Sequence, residues 1–262
     1  FVIGFTCIIL GLIFLNKRTL EVLVESTDDR MANRKNVNVK SLIFDKRIYD
    51  RGPKIVTTID STFALNIYSE DKNLIIDEIK DFDIEDVLEC GQCFHFNKID
   101  EKEYVLSAYG RVLHVKQEGN TRITLFNTSM EDYENIWKSY FDLDTDYAII
   151  KSHILSVDER LLQAVEAKQG IRILRQEFFE TLISFIISQN KQIPHIKQIV
   201  HTLSERYGNR VVLDNNFIGY TFPTVERLYE VSEEELRECK VGFRAPYIRN
   251  AVEKVYSGEI TA

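Results

Sequence analysis

The fold is decided by residues 178–208, which read FFETLISFIISQNKQIPHIKQIVHTLSERYG. The first ten residues are apolar on nearly every side, which predicts a helix buried in the centre of its domain. A polar loop at 188–192 follows, and Pro194 then suits the first turn of a second helix that ends before Gly208. Such a loop between two helices can hold polar side chains rigidly, although a purely structural connection explains the pattern equally well.

Upstream of this stretch the hydrophobic period changes from 3.6 to two. Residues 104–109, 111–117 and 122–126 alternate between apolar and polar, with glycines at the turns between them. From Ser129 onward the period is helical. We therefore predict an α+β fold in which an antiparallel sheet domain is followed by an all-helical domain.

Individual residues mark the ends of the predicted helices. Ser129, Ser156 and Ser232 each precede an acidic residue by three positions, which predicts three helix starts. Gly170 and Gly208 stand where the C-caps of helices belong.

Composition and charge limit the class of protein. The 262 residues are 44% apolar and 28% charged, with 11 Gly and 4 Pro, so a disordered, collagen-like or low-complexity chain is excluded. The net charge is −8, and the acidic stretch 71–89 is expected to be a solvated face over a small apolar stripe. Four basic residues favour either a strip that meets phosphates or an ordinary solvated helix face: Lys191, Lys197, Arg206 and Arg210.

The four cysteines are too few for a disulfide scaffold and favour a reducing compartment. Cys90 and Cys93 form a C-x-x-C, which is compatible with half of a zinc site or a redox pair. No second C-x-x-C or histidine pair follows at zinc-finger spacing, so buried apolar cysteines are the stronger interpretation and no metal site is expected.

The N-terminal segment supports a competing hypothesis. Residues 1–15 are an almost unbroken apolar run, shorter than the roughly 20 residues that span a bilayer. The run is part of a membrane segment, part of a signal sequence, or a buried strand or helix. The first of these would make the chain a membrane-anchored non-catalytic binding protein. Residues 1–73 contain no chemical motif and are treated as an unassigned N-terminal extension.

Five blocks of sequence resemble the 8-oxoguanine DNA glycosylase family of base-excision repair, in the same order and at the same separations. The blocks are GQCF at 91–94, YFDLD at 140–144, QGIRILRQE at 169–177, LISFIISQNKQI at 182–193 and VGFRAPY at 241–247. The resemblance implies an antiparallel sheet domain over 74–155 and a helical glycosylase domain, incomplete at its C-terminus, over 156–262.

The same resemblance implies an activity and a partner. The expected protein is a monomer without a cofactor that binds damaged double-stranded DNA in a nucleoid or a nucleus. It removes 8-oxoguanine opposite cytosine and nicks the strand by β-elimination.

The resemblance also assigns roles to five residues. Gly91 matches a glycine whose backbone carbonyl accepts a hydrogen bond from N7–H of the oxidised base, where ordinary guanine has a bare acceptor. Asn190 matches an asparagine that binds the orphan cytosine and fills the space of the extruded base. Phe243 matches an aromatic wedge, and Arg244 matches an arginine that donates to the cytosine. His195 stands where the family often has an arginine that also reads the cytosine, and a histidine is shorter and mostly neutral at pH 7.

Without the resemblance these positions would be interpreted differently. Phe243 would be taken as a core residue, Arg244 as a solvated residue and Gly91 as an ordinary turn glycine.

The catalytic step of the family depends on a lysine in a glycine-rich helix-hairpin-helix segment and on a later aspartate. No such segment follows Arg244 in the sequence, so no residue is assigned the catalytic role. We expect the 262-residue chain to be inactive and to bind DNA weakly.

Overall fold

The computed structural model describes residues 65–213 and 217–261. The hypotheses about the apolar run at 1–15 and the rest of the chain before residue 65 lie outside these ranges. Within them, no helix has the length and apolar character needed to cross a bilayer.

Six strands form one antiparallel sheet, in the spatial order β1-β2-β6-β5-β4-β3. The strands are β1 (Asn66–Glu70), β2 (Asn73–Asp77), β3 (Phe96–Asp100), β4 (Glu103–Ala108), β5 (Arg111–Glu118) and β6 (Arg122–Phe126). The last three coincide with the predicted alternating segments to within one residue. The α+β class, with the sheet preceding the helices, is confirmed.

Strand β2 differs from the expected solvated acidic segment. Leu74, Ile75 and Ile76 are all buried, so neither face of β2 is open to solvent over these three residues. Its two edges pair with β1 and with β6. A strand covered on both faces has no alternation for a sequence pattern to detect. Strand β1 lies before residue 74, so the sheet extends at least to Asn66.

Helices account for most of the chain after residue 129, apart from the ribbon of β7 (Arg210–Val212) and β8 (Ile218–Tyr220). The helices are α1 (Ile84–Glu89), α2 (Met130–Asp132), a π-helical turn (Tyr133–Trp137), α3 (Lys138–Tyr140), α4 (Tyr147–Val157), a 3-10 turn (Glu159–Leu161), α5 (Leu162–Ala167), α6 (Phe178–Ser188), α7 (Ile193–Tyr207), α8 (Val225–Tyr229), α9 (Glu233–Glu238), a second 3-10 turn (Gly242–Arg244) and α10 (Ala245–Tyr256).

Two of the three predicted helix starts are confirmed. Ser129 accepts a hydrogen bond from the amide of the third residue after it at 3.0 Å, and Ser232 forms a complete capping box. The start at Ser156 is wrong, because Ser156 lies in the last turn of α4 and its hydroxyl donates to a carbonyl of that helix. The next turn is capped two residues later by Asp158.

Both predicted C-cap glycines are required for close packing. Gly208 does cap α7, but its backbone is extended, and a Cβ there would lie 1.8 Å from the carbonyl oxygen of Thr221. Gly170 is not a C-cap, since α5 ends at Ala167 and Lys168 is its C-cap. A Cβ on Gly170 would lie 2.3 Å from the Cβ of Asp83, so this glycine allows the two backbones to touch.

Two hydrophobic cores hold these elements together. One lies between the sheet, α1 and the helical segment 133–143, and the other is built around α6, which buries eight of its residues. The predicted central helix of the helical domain is therefore confirmed. Neighbouring residues Cys93 and Phe94 belong to different cores, so the chain at 91–94 runs along the seam between them.

Candidate functional site

Gly91 is buried at the seam between the two cores, in the connection from α1 to β3. Its φ is +90°, a region that side chains with a Cβ rarely adopt. A Cβ on Gly91 would lie 3.7 Å from the Cδ1 of Ile193, in ordinary van der Waals contact. Backbone conformation, more than available space, is therefore what requires glycine at this position.

This position of Ile193 places Gly91 beside the start of α7 and the polar loop that precedes it. Ile193 is 43% exposed at the first position of that helix, although its side chain is apolar. In the loop itself, Asn190 is exposed and has a φ of +53°, a conformation that asparagine tolerates better than most residues. His195 is exposed in the first turn of α7, and its amide donates to the carbonyl of Gln192 at 3.0 Å.

A second turn, Gly242–Arg244, reaches the same loop from the other side. The guanidinium of Arg244 donates to the carbonyl of Gln189 and, at 3.3 Å, to the carbonyl of Val241. The Arg244 guanidinium also lies 4.3 Å from the centre of the Phe243 ring. The side chain of Arg244 thus ties the turn to the loop that carries Asn190.

The exposures of Phe243 and Arg244 are the reverse of what sequence pattern alone suggests. Phe243 is 57% exposed and Arg244 only 2% exposed. Desolvation lowers the pKa of Arg244, and its Nε has no hydrogen-bond partner within residues 65–213 and 217–261. The interpretations of Phe243 as a core residue and of Arg244 as a solvated residue are both wrong.

Gly91, Asn190, His195, Phe243 and Arg244 therefore belong to segments that meet at one loop. Gly91 lies beside Ile193, the residue that follows the loop. The turn at 242–244 is joined to the loop by the hydrogen bond from Arg244 to the carbonyl of Gln189. Of the five side chains or backbones singled out from the sequence, Arg244 alone is buried with its hydrogen bonds directed to protein carbonyls.

Two contributors to this arrangement were not singled out in the sequence. Ile193, at the start of α7, is the side chain that lies beside Gly91, and a single exposed isoleucine has no sequence pattern that would identify it. Gln92 is 7% exposed, and its side chain makes three hydrogen bonds to the backbone. A glutamine inside an otherwise apolar block is the signal that points to such a buried hydrogen-bonded group.

The proposed basic strip is not continuous. Lys197 turns inward, with its Nζ 3.6 Å from the centre of the Phe96 ring, and desolvation lowers its pKa. Arg206 forms an ion pair of 2.9 Å with Glu238. Lys191 and Arg210 remain at or near the surface. Any contact with phosphates would therefore depend on fewer basic residues than the sequence suggests.

The C-x-x-C pair has the environment of structural cysteines. Cys90 and Cys93 are not joined in a disulfide, and their thiols donate to carbonyls of α1 at 3.3 and 3.8 Å. Burial raises the pKa of Cys93 to about 12, so its thiol stays protonated at neutral pH. No cluster of three metal-ligating side chains occurs in the part of the chain that the structure describes.

Family models match most of the chain. The model described as "8-oxoguanine DNA glycosylase, N-terminal domain" matches residues 74–182, and that described as "HhH-GPD superfamily base excision DNA repair protein" matches residues 183–259. Among curated proteins, an N-glycosylase/DNA lyase of Saccharomyces cerevisiae is 34% identical over 124 residues, which are 47% of this chain. The match covers 33% of the yeast protein, so the chain spans only part of the length of this relative.

Solved structures of 8-oxoguanine glycosylases are similar to this chain over a larger share of its length than the yeast protein is. The structure of MBOgg1 in complex with a low affinity DNA ligand is 42% identical, with a TM-score of 0.72 over 76% of this chain and 68% of that one. The 8-oxoguanine glycosylase/lyase of Clostridium acetobutylicum, in complex with DNA containing cytosine opposite 8-oxoG, is 38% identical. Its TM-score is 0.71 over 75% of this chain and 67% of that one.

Proposed function

Because the chain belongs to the 8-oxoguanine DNA glycosylase family of the HhH-GPD superfamily, we propose that it recognises 8-oxoguanine opposite cytosine in duplex DNA. In this proposal it supplies the base-recognition and strand-recognition surfaces of a base-excision DNA glycosylase with AP-lyase activity. The observation that carries the proposal is that Gly91 and the turn at 242–244 both lie beside the loop at 188–192 and the start of α7.

Recognition of the damaged base is assigned to the backbone of Gly91. Oxidation converts N7 of guanine from an acceptor to a donor, and a carbonyl oxygen accepts from the oxidised base but repels the lone pair of the normal one. A buried carbonyl makes this contrast larger than a solvated one, because water does not screen the repulsion. The burial and the fixed, positive φ of Gly91 support this role.

Recognition of the opposite strand is assigned to the residues around the loop. The exposed amide of Asn190 is available to the orphan cytosine, and the exposed ring of Phe243 is suited to enter a base step. His195 is exposed in the adjacent first turn of α7 and would read the cytosine where relatives often have arginine. Arg244 is proposed to hold the loop in the free protein and to donate to the cytosine only after its guanidinium turns outward.

No residue of the chain is assigned the cleavage of the glycosidic bond. Lys254, the one lysine that follows Arg244 in these 262 residues, lies in α10 and not in a glycine-rich helix-hairpin-helix segment. We therefore propose that the 262-residue chain binds selectively without excising the base.

Binding to defined duplexes tests the recognition. Fluorescence anisotropy would compare one labelled duplex with 8-oxoguanine opposite cytosine and the same duplex with guanine. We expect tighter binding to the oxidised duplex by about tenfold, the contribution of one well-placed hydrogen bond. Equal affinity of the native chain for both duplexes would contradict the proposal.

A pair of glycine variants shows whether the selectivity depends on Gly91. Gly91→Ala strains a positive φ beside the proposed base contact, whereas Gly110→Ala strains a φ of +68° in the turn between β4 and β5, with open space around it. Only the first variant should lose the preference for the oxidised duplex.

Trapping with borohydride tests the absence of chemistry separately. Reduction of a Schiff base would leave a covalent protein–DNA product on the oxidised duplex. We expect none from the 262-residue chain, and a trapped product would show that one of its lysines is catalytic.

A further inference from the structure

We propose that Gln92 is a positioning residue that holds the Gly91 carbonyl in the orientation needed for base recognition. This inference rests on the proposed function, since it concerns how the base-reading carbonyl is held. It assigns to Gln92 no contact with DNA.

The side chain of Gln92 is fixed at both ends of its amide. Its Nε2 donates to the carbonyls of Val87 and Arg172, both at 2.8 Å, and its Oε1 accepts from the amide of Leu174 at 2.9 Å. One partner lies in α1, and two lie in the segment 171–177, which is neither helix nor strand and leads into α6. A buried amide with all of these bonds satisfied has a single orientation.

The backbone of Gln92 is fixed as well. Its carbonyl accepts from the Nε2 of Gln176 at 2.6 Å. The segment 171–177 therefore holds Gln92 at two places. The amide of Leu174 bonds to the Gln92 side chain, and the side chain of Gln176 bonds to the Gln92 main chain. Only the peptide group between Gly91 and Gln92 lies between this anchor and the left-handed glycine.

That peptide group contains the Gly91 carbonyl. The direction of this carbonyl is set by ψ of Gly91 and φ of Gln92. Because the backbone of glycine is conformationally permissive, Gly91 does not by itself hold the peptide plane in one orientation. A rigid Gln92 is therefore the element that can fix the direction of the carbonyl. Without the amide anchor the peptide plane could rotate, and the hydrogen bond to N7–H would lose its alignment.

The partner segment is itself rigidly held. Arg172 is 1% exposed, and its guanidinium donates to the carbonyls of Asp81 and Asp142 at 2.9 and 2.7 Å. Arg172 thus holds the segment 171–177 to the chain at Asp81 and at Asp142. Because this segment is held in place, its hydrogen bonds to Gln92 can hold the Gly91 carbonyl in one direction.

A simple structural role for Gln92 would have different consequences. In that case its loss would lower stability and weaken binding to every duplex alike. Gln117 provides a matched control, because it is also buried in the sheet domain and its side chain bonds to the backbone of Phe82 and Ile84 at 3.0 and 2.8 Å.

The test measures selectivity and local exchange in Gln92→Leu and Gln117→Leu, made in the full chain. Anisotropy would be measured with duplexes that place 8-oxoguanine, guanine or a tetrahydrofuran abasic analogue opposite cytosine. We expect Gln92→Leu to reduce the preference for 8-oxoguanine over guanine by about threefold to tenfold, with little change on the abasic duplex. Amide hydrogen exchange at residues 91–94 should become faster in Gln92→Leu and stay unchanged in Gln117→Leu.

Gln176→Leu keeps the inference testable if Gln92→Leu does not fold. This half-buried residue holds Gln92 through one hydrogen bond to its carbonyl, so its loss should change selectivity and exchange in the same direction by a smaller amount. Unchanged selectivity and unchanged exchange in both variants would overturn the inference. A native chain that fails to prefer 8-oxoguanine would overturn the proposed function instead, and exchange at 91–94 would still decide whether Gln92 fixes this segment.

Discussion

The guanidinium of Arg244 donates to the backbone carbonyl of Gln189, and this one hydrogen bond joins the turn that carries Phe243 to the loop that carries Asn190. The contact spans 55 positions of sequence and is made by a side chain that is 2% exposed. Two surface elements assigned to the same DNA site are thereby held at a fixed separation.

Removal of this brace should affect binding more than stability. In Arg244→Met the lost hydrogen bonds are partly offset by the removal of a buried charge whose Nε is unpaired, so we expect the free energy of unfolding to change by less than about 1.5 kcal/mol. Affinity for the oxidised duplex should fall by about tenfold because the loop loses its tie to the turn. Urea denaturation and anisotropy measure the two quantities.

The control for Arg244 is Arg227→Met, an exposed arginine that also lies over an aromatic ring, that of Tyr207. It should leave DNA affinity unchanged. A large loss of stability in Arg244→Met with normal affinity in the folded fraction would show that the brace serves the core alone.

Phe243 should contribute to DNA binding without contributing to the core. Since its ring is 57% exposed, Phe243→Ala should change the free energy of unfolding by less than about 0.5 kcal/mol. Loss of a base-stacking ring should weaken binding to the oxidised duplex by about tenfold. Tyr256→Ala removes a ring that is 51% exposed at the far end of α10 and should bind normally. Equal effects of the two variants would refute a specific role for Phe243.

The sequence predicts those parts of the fold whose signals are local. Strand β6 alternates between buried and less buried positions, and α6 is apolar all round, so each carries its own periodicity. Strand β4 is buried along nearly its whole length, and its position is indicated mainly by the glycine turn that follows it. Strand β2 has no alternation because both faces are covered, and its place in the sheet depends on partners at distant positions.

The hydrophobic pattern of the sequence predicts the orientation of side chains in the site less well than it predicts the fold. The orientations of Phe243 and Arg244 are set by a turn that begins at Gly242, with a φ of +64°, and by the distant carbonyl of Gln189. Neither determinant leaves a local pattern, and hydrophobicity alone assigns both side chains wrongly. Family resemblance identified the positions, whereas only the structure shows that Arg244 is turned inward.

Arg172 should be among the largest single contributors to stability. Its guanidinium donates to four backbone carbonyls, those of Lys80, Asp81, Asp142 and Thr145. Arg172→Met removes the donor from all four carbonyls, of which that of Asp142 makes a fully buried hydrogen bond, so we expect a loss of about 3 kcal/mol or more in the free energy of unfolding.

Arg175→Met is the matched control for Arg172. The Arg175 side chain is 61% exposed and pairs at 2.8 Å with the buried carboxylate of Asp142. That carboxylate also accepts from the hydroxyls of Thr145 and Tyr147, so the loss in Arg175→Met should be smaller, about 1 to 2 kcal/mol. Urea denaturation of both variants gives the comparison, and similar losses would show that the carbonyl contacts of Arg172 are dispensable.

Gly208 should tolerate substitution less well than a glycine whose φ is positive. Its extended backbone suits any residue, but a Cβ would lie 1.8 Å from the Thr221 carbonyl oxygen, and the backbone of β8 would have to move away from α7. We expect Gly208→Ala to lower the free energy of unfolding by at least about 2 kcal/mol. Gly258 has a φ of +75° in open space, so Gly258→Ala should cost only the left-handed backbone strain, about 1 kcal/mol. Urea denaturation orders the two variants. The reverse order would mean that the ribbon β7–β8 shifts freely, and close packing would then not be the reason for glycine at 208.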